Sequence, residues 1–269
     1  MLGSKLVWGV LRALLSLPIA HHGPTEIGRV IGTSHASVSR VLRKLVDANL
    51  ASRQGGRYRA KADQAIIRYV WLLLQAERHR NLPAQLVNAL ELIISETTPR
   101  AETAILFGSW ARGIADEESD VDVCLFAEEL RSARLIRPPY RFELHAFPPR
   151  ELREPSRTVV LDALLNGISL RDPEGRYDAA VELRYFPKQF LLARLEQARE
   201  FLARSDELTG AAQEYYTSLA SMTLQQIESI VERGRTISHR DVAVAASPKQ
   251  LLERLSARIA QEAERISLT

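Results

Sequence analysis

The stretch Ala104-Ile-Leu-Phe-Gly-Ser-Trp-Ala-Arg-Gly-Ile-Ala-Asp-Glu-Glu-Ser-Asp-Val-Asp-Val-Cys-Leu-Phe126 reads as a strand, a glycine turn, a short helix and a second strand. The apolar run Ile105 to Phe107 stops at Gly108-Ser109. Val121, Val123 and Leu125 then alternate with Asp120, Asp122 and Cys124. Successive strand side chains take opposite faces, so Asp120 and Asp122 share one. Two carboxylates so close repel unless a cation sits between them. A divalent ion with a taste for oxygen ligands, such as Mg²⁺, relieves the repulsion. Gly108-Ser109 opens a turn whose backbone N–H groups suit phosphate. A phosphate cradle beside a carboxylate pair is equipment for phosphoryl or nucleotidyl transfer.

Gly108-Ser-Trp-Ala-Arg-Gly113, five residues, then Ser119-Asp-Val-Asp122 resembles the signature of the DNA polymerase beta-like nucleotidyltransferases, in particular their minimal branch from bacteria and archaea. The resemblance implies in-line attack by an acceptor hydroxyl on the α-phosphate of a nucleoside triphosphate, with ATP the first choice. Asp120 and Asp122 would bind two Mg²⁺ ions, with Mn²⁺ as the substitute. Gly108 and Ser109 would hold the β,γ-phosphates. Arg112 would add a phosphate contact, or else pair with Glu117 or Glu118.

Tyr140-Arg-Phe-Glu-Leu-His-Ala-Phe147 alternates as a further strand, with Arg141, Glu143, His145 and Phe147 on one face. The family has a third carboxylate on a neighbouring strand. Glu143 is the matching position, where Asp is commoner. By the resemblance it completes the metal-binding and catalytic set of Asp120, Asp122 and Glu143. His145 either lines the substrate side or is a structural histidine at a strand edge. Residues 127–139, between these strands, read as a charged connection with a short helix.

Upstream, residues 1–63 carry ten Lys and Arg against three acidic residues, whereas the whole chain is only +3. A basic module therefore precedes a mildly acidic body, which suggests nucleic-acid binding. A helix is expected over 3–17. Lys5 and the apolar run after it mimic a leader, but Arg12 interrupts the run, so the expectation is a cytoplasmic protein without a membrane span. A second helix is expected from Glu26 to Ile31 with Thr25 as its N-cap, and a third from His35 to Ala48 behind Thr33-Ser34. Two extended arms then flank Gly55-Gly56, a favoured hairpin turn.

This order resembles a winged helix, and Thr25 to Leu45 resembles the helix-turn-helix of prokaryotic regulators. By that resemblance residues 35–48 enter a DNA major groove. Ser37, Ser39, Arg40, Arg43 and Lys44 would face DNA, and Arg53, Arg57 and Arg59 would contact phosphate from the wing. Such regulators commonly dimerise, so a homodimer is one expectation. A winged helix making only protein contacts is the alternative.

The chain is thus expected to be an α+β multidomain protein: a winged helix over 1–62, a helical connector over 63–98, a polymerase beta-like transferase sheet over 99–180, and a helical bundle over 181–269. In the connector Ile66, Ile67, Val70, Leu73 and Leu74 recur on one face, with Tyr69 and Trp71 as packing residues. Residues 166–173 resemble the helix–glycine–strand ending of minimal transferases. The tail weakly resembles HEPN-type helical domains, some of which are RNases with a spaced Arg and His; Arg233 and His239 have that spacing. A single cysteine excludes an internal disulfide framework and a cysteine zinc site. Three functions follow: a transferase tethered to DNA, with an unknown acceptor; a DNA-binding regulator whose transferase fold senses nucleotide without turnover; and a toxin–antitoxin-like enzyme whose acceptor is a protein hydroxyl.

Overall fold

The computed structural model describes residues 4–16, 20–61, 63–97, 101–180, 186–233 and 247–267, with side chains to residue 262. It divides into two units, Met1–Tyr185 and Phe186–Thr269.

The first unit begins with α1 (Lys5–Ser16), α2 (Pro24–Ile31), α3 (His35–Asp47), β1 (Ala51–Gln54) and β2 (Arg57–Ala60). The expected Thr25 cap is corrected. Gly23 precedes α2 in an extended conformation, Pro24 fills the first turn, and the Glu26 carboxylate accepts from the Gly23 N–H at 3.2 Å. Proline's fixed φ suits a first helical turn, which draws the start forward of Thr25. Ser34 caps α3 as expected, its hydroxyl accepting from the Ser37 N–H at 3.3 Å. Gly55 and Gly56 have φ of 53° and 78°, the left-handed pair that a two-residue hairpin needs. His22, between α1 and α2, bridges to Tyr58 on β2.

The apolar core of this region gathers Val10, Leu11 and Leu14, Ile27, and Val38, Leu42 and Leu45. It also includes Ile67, Val70, Trp71 and Leu74 from α4 (Ala65–Arg80). The inward stripe of α4 is therefore rotated from the expected one. Tyr69 is 68% exposed and Leu73 59%. A 3.6-residue period brings 67, 70, 71 and 74 together and leaves 69 and 73 outside. Arg12 clasps Glu77 at 2.7 Å, a further link between α1 and α4.

Then come α5 (Ala84–Thr97), β3 (Thr103–Phe107), α6 (Gly108–Arg112), β4 (Val121–Phe126), β5 (Ala133–Arg137), β6 (Tyr140–Phe147), a 3-10 turn (Pro149–Leu152), α7 (Thr158–Asn166), β7 (Ile168–Arg171) and α8 (Arg176–Ala179). The sheet order is β5-β6-β4-β3-β7; β4 and β6 run parallel and the other neighbours antiparallel. Residues 133–137 correct the expected helix. Their backbone pairs antiparallel with β6, Arg134 facing Glu143 and Arg137 facing Tyr140. An unpaired β6 edge offers these residues a hydrogen-bond ladder that a lone short helix does not.

Both faces of the sheet are covered. Ala104, Leu106, Val121, Val123, Leu125, Phe142 and Leu144 pack with Leu86, Leu90 and Ile93 of α5. Ile105, Phe107, Cys124, Phe126 and Phe147 pack with Val160, Ala163 and Leu164 of α7 and Tyr177 of α8. Burial on both faces explains why β4 carries apolar residues beyond strict alternation. Gly167 ends α7 as expected; a Cβ there would overlap Ala163 O and Ile105 Cγ2.

The second unit contains α9 (Lys188–Asp206), α10 (Ala211–Arg233) and α11 (Pro248–Ser267). Leu191, Leu195, Ala198, Leu224, Ile227, Ile230, Leu255 and Ile259 are buried. Lys249 pairs with Asp206 at 2.9 Å, and Arg254 pairs with Glu228. Pro18, Pro99, His239 and the expected break at 241–246 lie outside the described residues. No helix among the described residues is long and apolar enough to cross a membrane.

Candidate active site

The register of three strands builds the site. Asp122 on β4 lies opposite Phe107 on one side and Glu143 on the other; Arg134 on β5 lies opposite Glu143. His145 follows two residues after Glu143 and therefore shares its face. Asp122, Glu143 and His145 each offer one donor atom, all within 4.8 Å of one another, and each side chain is half-buried. His145 Nε2 stands 3.9 Å from Asp122 Oδ1.

Asp120 stands apart from this group. It precedes the first residue of β4, its side chain is half exposed, and its Oδ1 takes Arg141 Nε at 3.0 Å. Arg141 also donates to the Glu118 carbonyl. Glu143 accepts from Arg134 at 3.1 Å. Two guanidinium groups thus offset two of the three expected carboxylates. Sequence alternation puts Arg141 on the expected face but assigns it no role. Arg134 is hidden in the sequence because its segment reads as a helix, and only strand pairing brings it to Glu143.

Gly108 opens α6 with φ 74°, and a Cβ there would overlap the Asp122 carboxylate. The Asp122 side chain occupies the space that any other residue at 108 would fill. Downstream, the loop to β4 is tied by Ser119, whose hydroxyl donates to Asp116 Oδ1 at 2.6 Å. That bond holds the exposed Asp116 carboxyl below its usual pKa. Trp110 Nε1 donates to the Ser119 carbonyl at 3.2 Å, and its ring meets Tyr140 edge-on. Ser119 thus sets the path of the chain into Asp120 and Asp122.

Arg112 turns from both expected partners, Glu117 and Glu118. It pairs with Asp162 on α7 at 3.2 Å, and Asn166 Nδ2 donates to the other Asp162 oxygen at 2.9 Å. Arg78, which nothing in its sequence context singles out, joins α4 to this corner. It donates to the carbonyls of Ala111 at 2.5 Å and Asn166 at 2.6 Å. Desolvation lowers its pKa from the usual arginine value.

On the N-terminal region, Arg40, Arg43 and Lys44 are exposed along α3, and Ser37 and Ser39 are partly so. Arg53 is exposed and lies over the Tyr58 ring. Arg57 is engaged by the His21 carbonyl at 2.8 Å and by Glu26 at 2.9 Å. Arg59 corrects its expected place on the wing surface. It is 4% exposed because the second half of β2 packs inward.

The donors at the sheet suit a divalent ion chemically. Ligands about 2.1 Å from an ion stand about 3–4.2 Å apart, so modest side-chain rotation would close this set. Residues 63–167 match the family model for the central palm domain of mitochondrial-like poly(A) RNA polymerase. The match supports a nucleotidyltransferase superfamily for this region. No curated protein sequence matches the chain.

Proposed function

We propose that the chain is a divalent-metal-dependent nucleotidyltransferase that moves a nucleoside monophosphate from a triphosphate to an acceptor hydroxyl. The observation that carries this reading is the adjacency of Asp122 and Glu143 across β4 and β6, beside the bare Cα of Gly108. The match to a palm domain supports it, and the poly(A) polymerase name of that family favours ATP as donor.

The acceptor oxygen would attack the α-phosphorus while the bond to pyrophosphate breaks. Asp122 and Glu143, joined by Asp120 once Arg141 releases it, would hold Mg²⁺ or Mn²⁺; such ions activate the attacking hydroxyl and offset charge on the leaving pyrophosphate. Gly108 and Ser109 would receive the terminal phosphates on their backbone N–H groups. Glu143 would accept the hydroxyl proton once Arg134 swings aside. Arg112, already satisfied by Asp162, would shape the turn rather than touch phosphate.

In the same reading residues 1–62 form a winged helix, supported by three helices, a hairpin and the exposed cations of α3. It would tether the enzyme to DNA. A second reading has its own support: Arg141 on Asp120 and Arg134 on Glu143 are compatible with a nucleotide sensor without turnover.

Incubation with labelled ATP, CTP, GTP or UTP, Mg²⁺ or Mn²⁺, and nucleic-acid or protein acceptors separates the two. Expected is label transfer with pyrophosphate release, lost on joint Asp120→Ala and Asp122→Ala substitution while DNA binding persists. Nucleotide binding without transfer across all acceptors would favour the sensor.

A further inference from the structure

We infer that His145 is a metal ligand together with Asp122 and Glu143, and that this mixed nitrogen–oxygen set selects a first-row transition ion over Mg²⁺. The inference rests on the transferase reading and deepens it, since it concerns which ion that site takes.

Three observations converge on the imidazole. Strand register places it beside the carboxylate pair, with Nε2 3.9 Å from Asp122 Oδ1. That gap is too long for a hydrogen bond and suits two ligands facing a common centre. Its ring neighbours Phe107, tilted at 5.5 Å, and Phe147, parallel at 6.4 Å and 4°, and its Nε2 lies toward Asp122. The His145 side chain is 23% exposed.

Asp120 lies outside the converging group: the donor atoms that gather within 4.8 Å are those of Asp122, Glu143 and His145. Asp122 packs its Oδ2 on Gly108, which leaves Oδ1 toward His145. The ion-pair partner of Glu143 is Arg134, whose side chain is 83% exposed, and such a surface pair is worth little. The set that converges is therefore one nitrogen and two oxygens. Mg²⁺ dehydrates reluctantly and prefers oxygen throughout. Imidazole favours later first-row ions, and affinity rises from Mn²⁺ through Co²⁺ along that series.

The full chain is titrated with Co²⁺, followed by its visible ligand-field bands, and with Mn²⁺, followed by electron paramagnetic resonance. Mg²⁺ serves as competitor. Expected is displacement of Co²⁺ and Mn²⁺ only by a large excess of Mg²⁺. His145→Gln should weaken Co²⁺ by at least the roughly 10- to 100-fold that loss of even an outer partner costs. Mg²⁺ affinity should stay unchanged, and circular dichroism should show a folded variant. Should that variant unfold, the wild-type Co²⁺ form is decisive: a hyperfine-shifted imidazole N–H signal is expected in its proton NMR spectrum. Absence of that signal, or equal Co²⁺ binding by His145→Gln, overturns the inference and leaves the transferase reading standing. Failure of every divalent ion to bind, or binding indifferent to Asp122→Asn, overturns both.

Discussion

Asp122 lies directly against the Cα of Gly108, so the first residue of the turn and the candidate metal-binding carboxylate occupy a single packed contact. The two are fourteen residues apart in sequence, but the β3–β4 register pairs Phe107 with Asp122 and makes them neighbours. Gly108 is required twice, by its φ of 74° and by the carboxylate above it.

Gly108→Ala tests this requirement against a matched control. Gly113 has a similar φ of 71°, and a methyl group there would meet nothing within 4 Å. Both substitutions should cost about 1–2 kcal/mol for left-handed backbone. Only Gly108→Ala should also displace Asp122. Thermal unfolding should show a comparable drop for Gly113→Ala and a larger one for Gly108→Ala. Divalent-ion binding should fail only in the latter. Equal behaviour of the two variants would separate the turn from the carboxylate.

Arg78 should matter far more than its surface-helix sequence context suggests. It satisfies the carbonyls at the ends of α6 and α7, where helix termini leave acceptors without partners. Hydrogen bonds from a charged donor are worth about 1.5–3 kcal/mol each. Arg78→Leu should therefore destabilise the first unit by about 3 kcal/mol. For a domain of this size that is a fall in Tm of about 6–12 °C. Arg78→Lys should recover part of the loss, since its ammonium reaches fewer carbonyls. A loss below about 1 kcal/mol on Arg78→Leu would show that water replaces the guanidinium at no cost.

The lone thiol predicts an alkaline signature. Cys124 is fully buried on β4, and burial, with Asp162 and Asp122 nearby, pushes its pKa well above the usual value. The folded thiol stays protonated where the unfolded thiol ionises, near pH ~8.5. Its contribution to stability is thus full below that pH and lost as pH rises above it. Cys124→Ala should flatten the fall of stability between about pH 8.5 and the folded pKa. Native protein should resist thiol reagents until denaturant opens the sheet. Stoichiometric labelling of the native chain within minutes would contradict the burial.

The legible parts of the molecule are those governed by local chemistry. Gly108-Ser109, the Ser34 cap, Gly55-Gly56 and the Glu143 face of β6 follow from backbone preference and alternation, and each is visible in a few residues. What cannot be read depends on distant partners. Residues 133–137 become a strand only because β6 offers an edge. Arg112 finds Asp162 fifty residues away, and Arg141 reaches back to Asp120. The inward stripe of α4 is set by the apolar cluster it joins, with Val10, Leu11 and Leu14 of α1 among its members, which periodicity alone does not fix. Candidate chemistry is therefore readable from types and spacing, whereas the arginines that oppose those carboxylates are not.

The exposed cations of α3 give the DNA-tethering proposal a quantitative test. Arg40, Arg43 and Lys44 face solvent on one helix, whereas Arg57 is held by Glu26. Each phosphate contact contributes about 0.9 to the slope of log affinity against log salt. Replacing the three by Ala should lower that slope by up to about 2.7, measured by anisotropy on a random-sequence duplex from low to high salt. Arg68→Ala, an exposed cation on α4, should leave the slope unchanged. A fall in affinity without a change in slope would mean that α3 supports the fold of the domain rather than contacting phosphate. An unaltered slope and affinity would move the DNA-binding face away from α3.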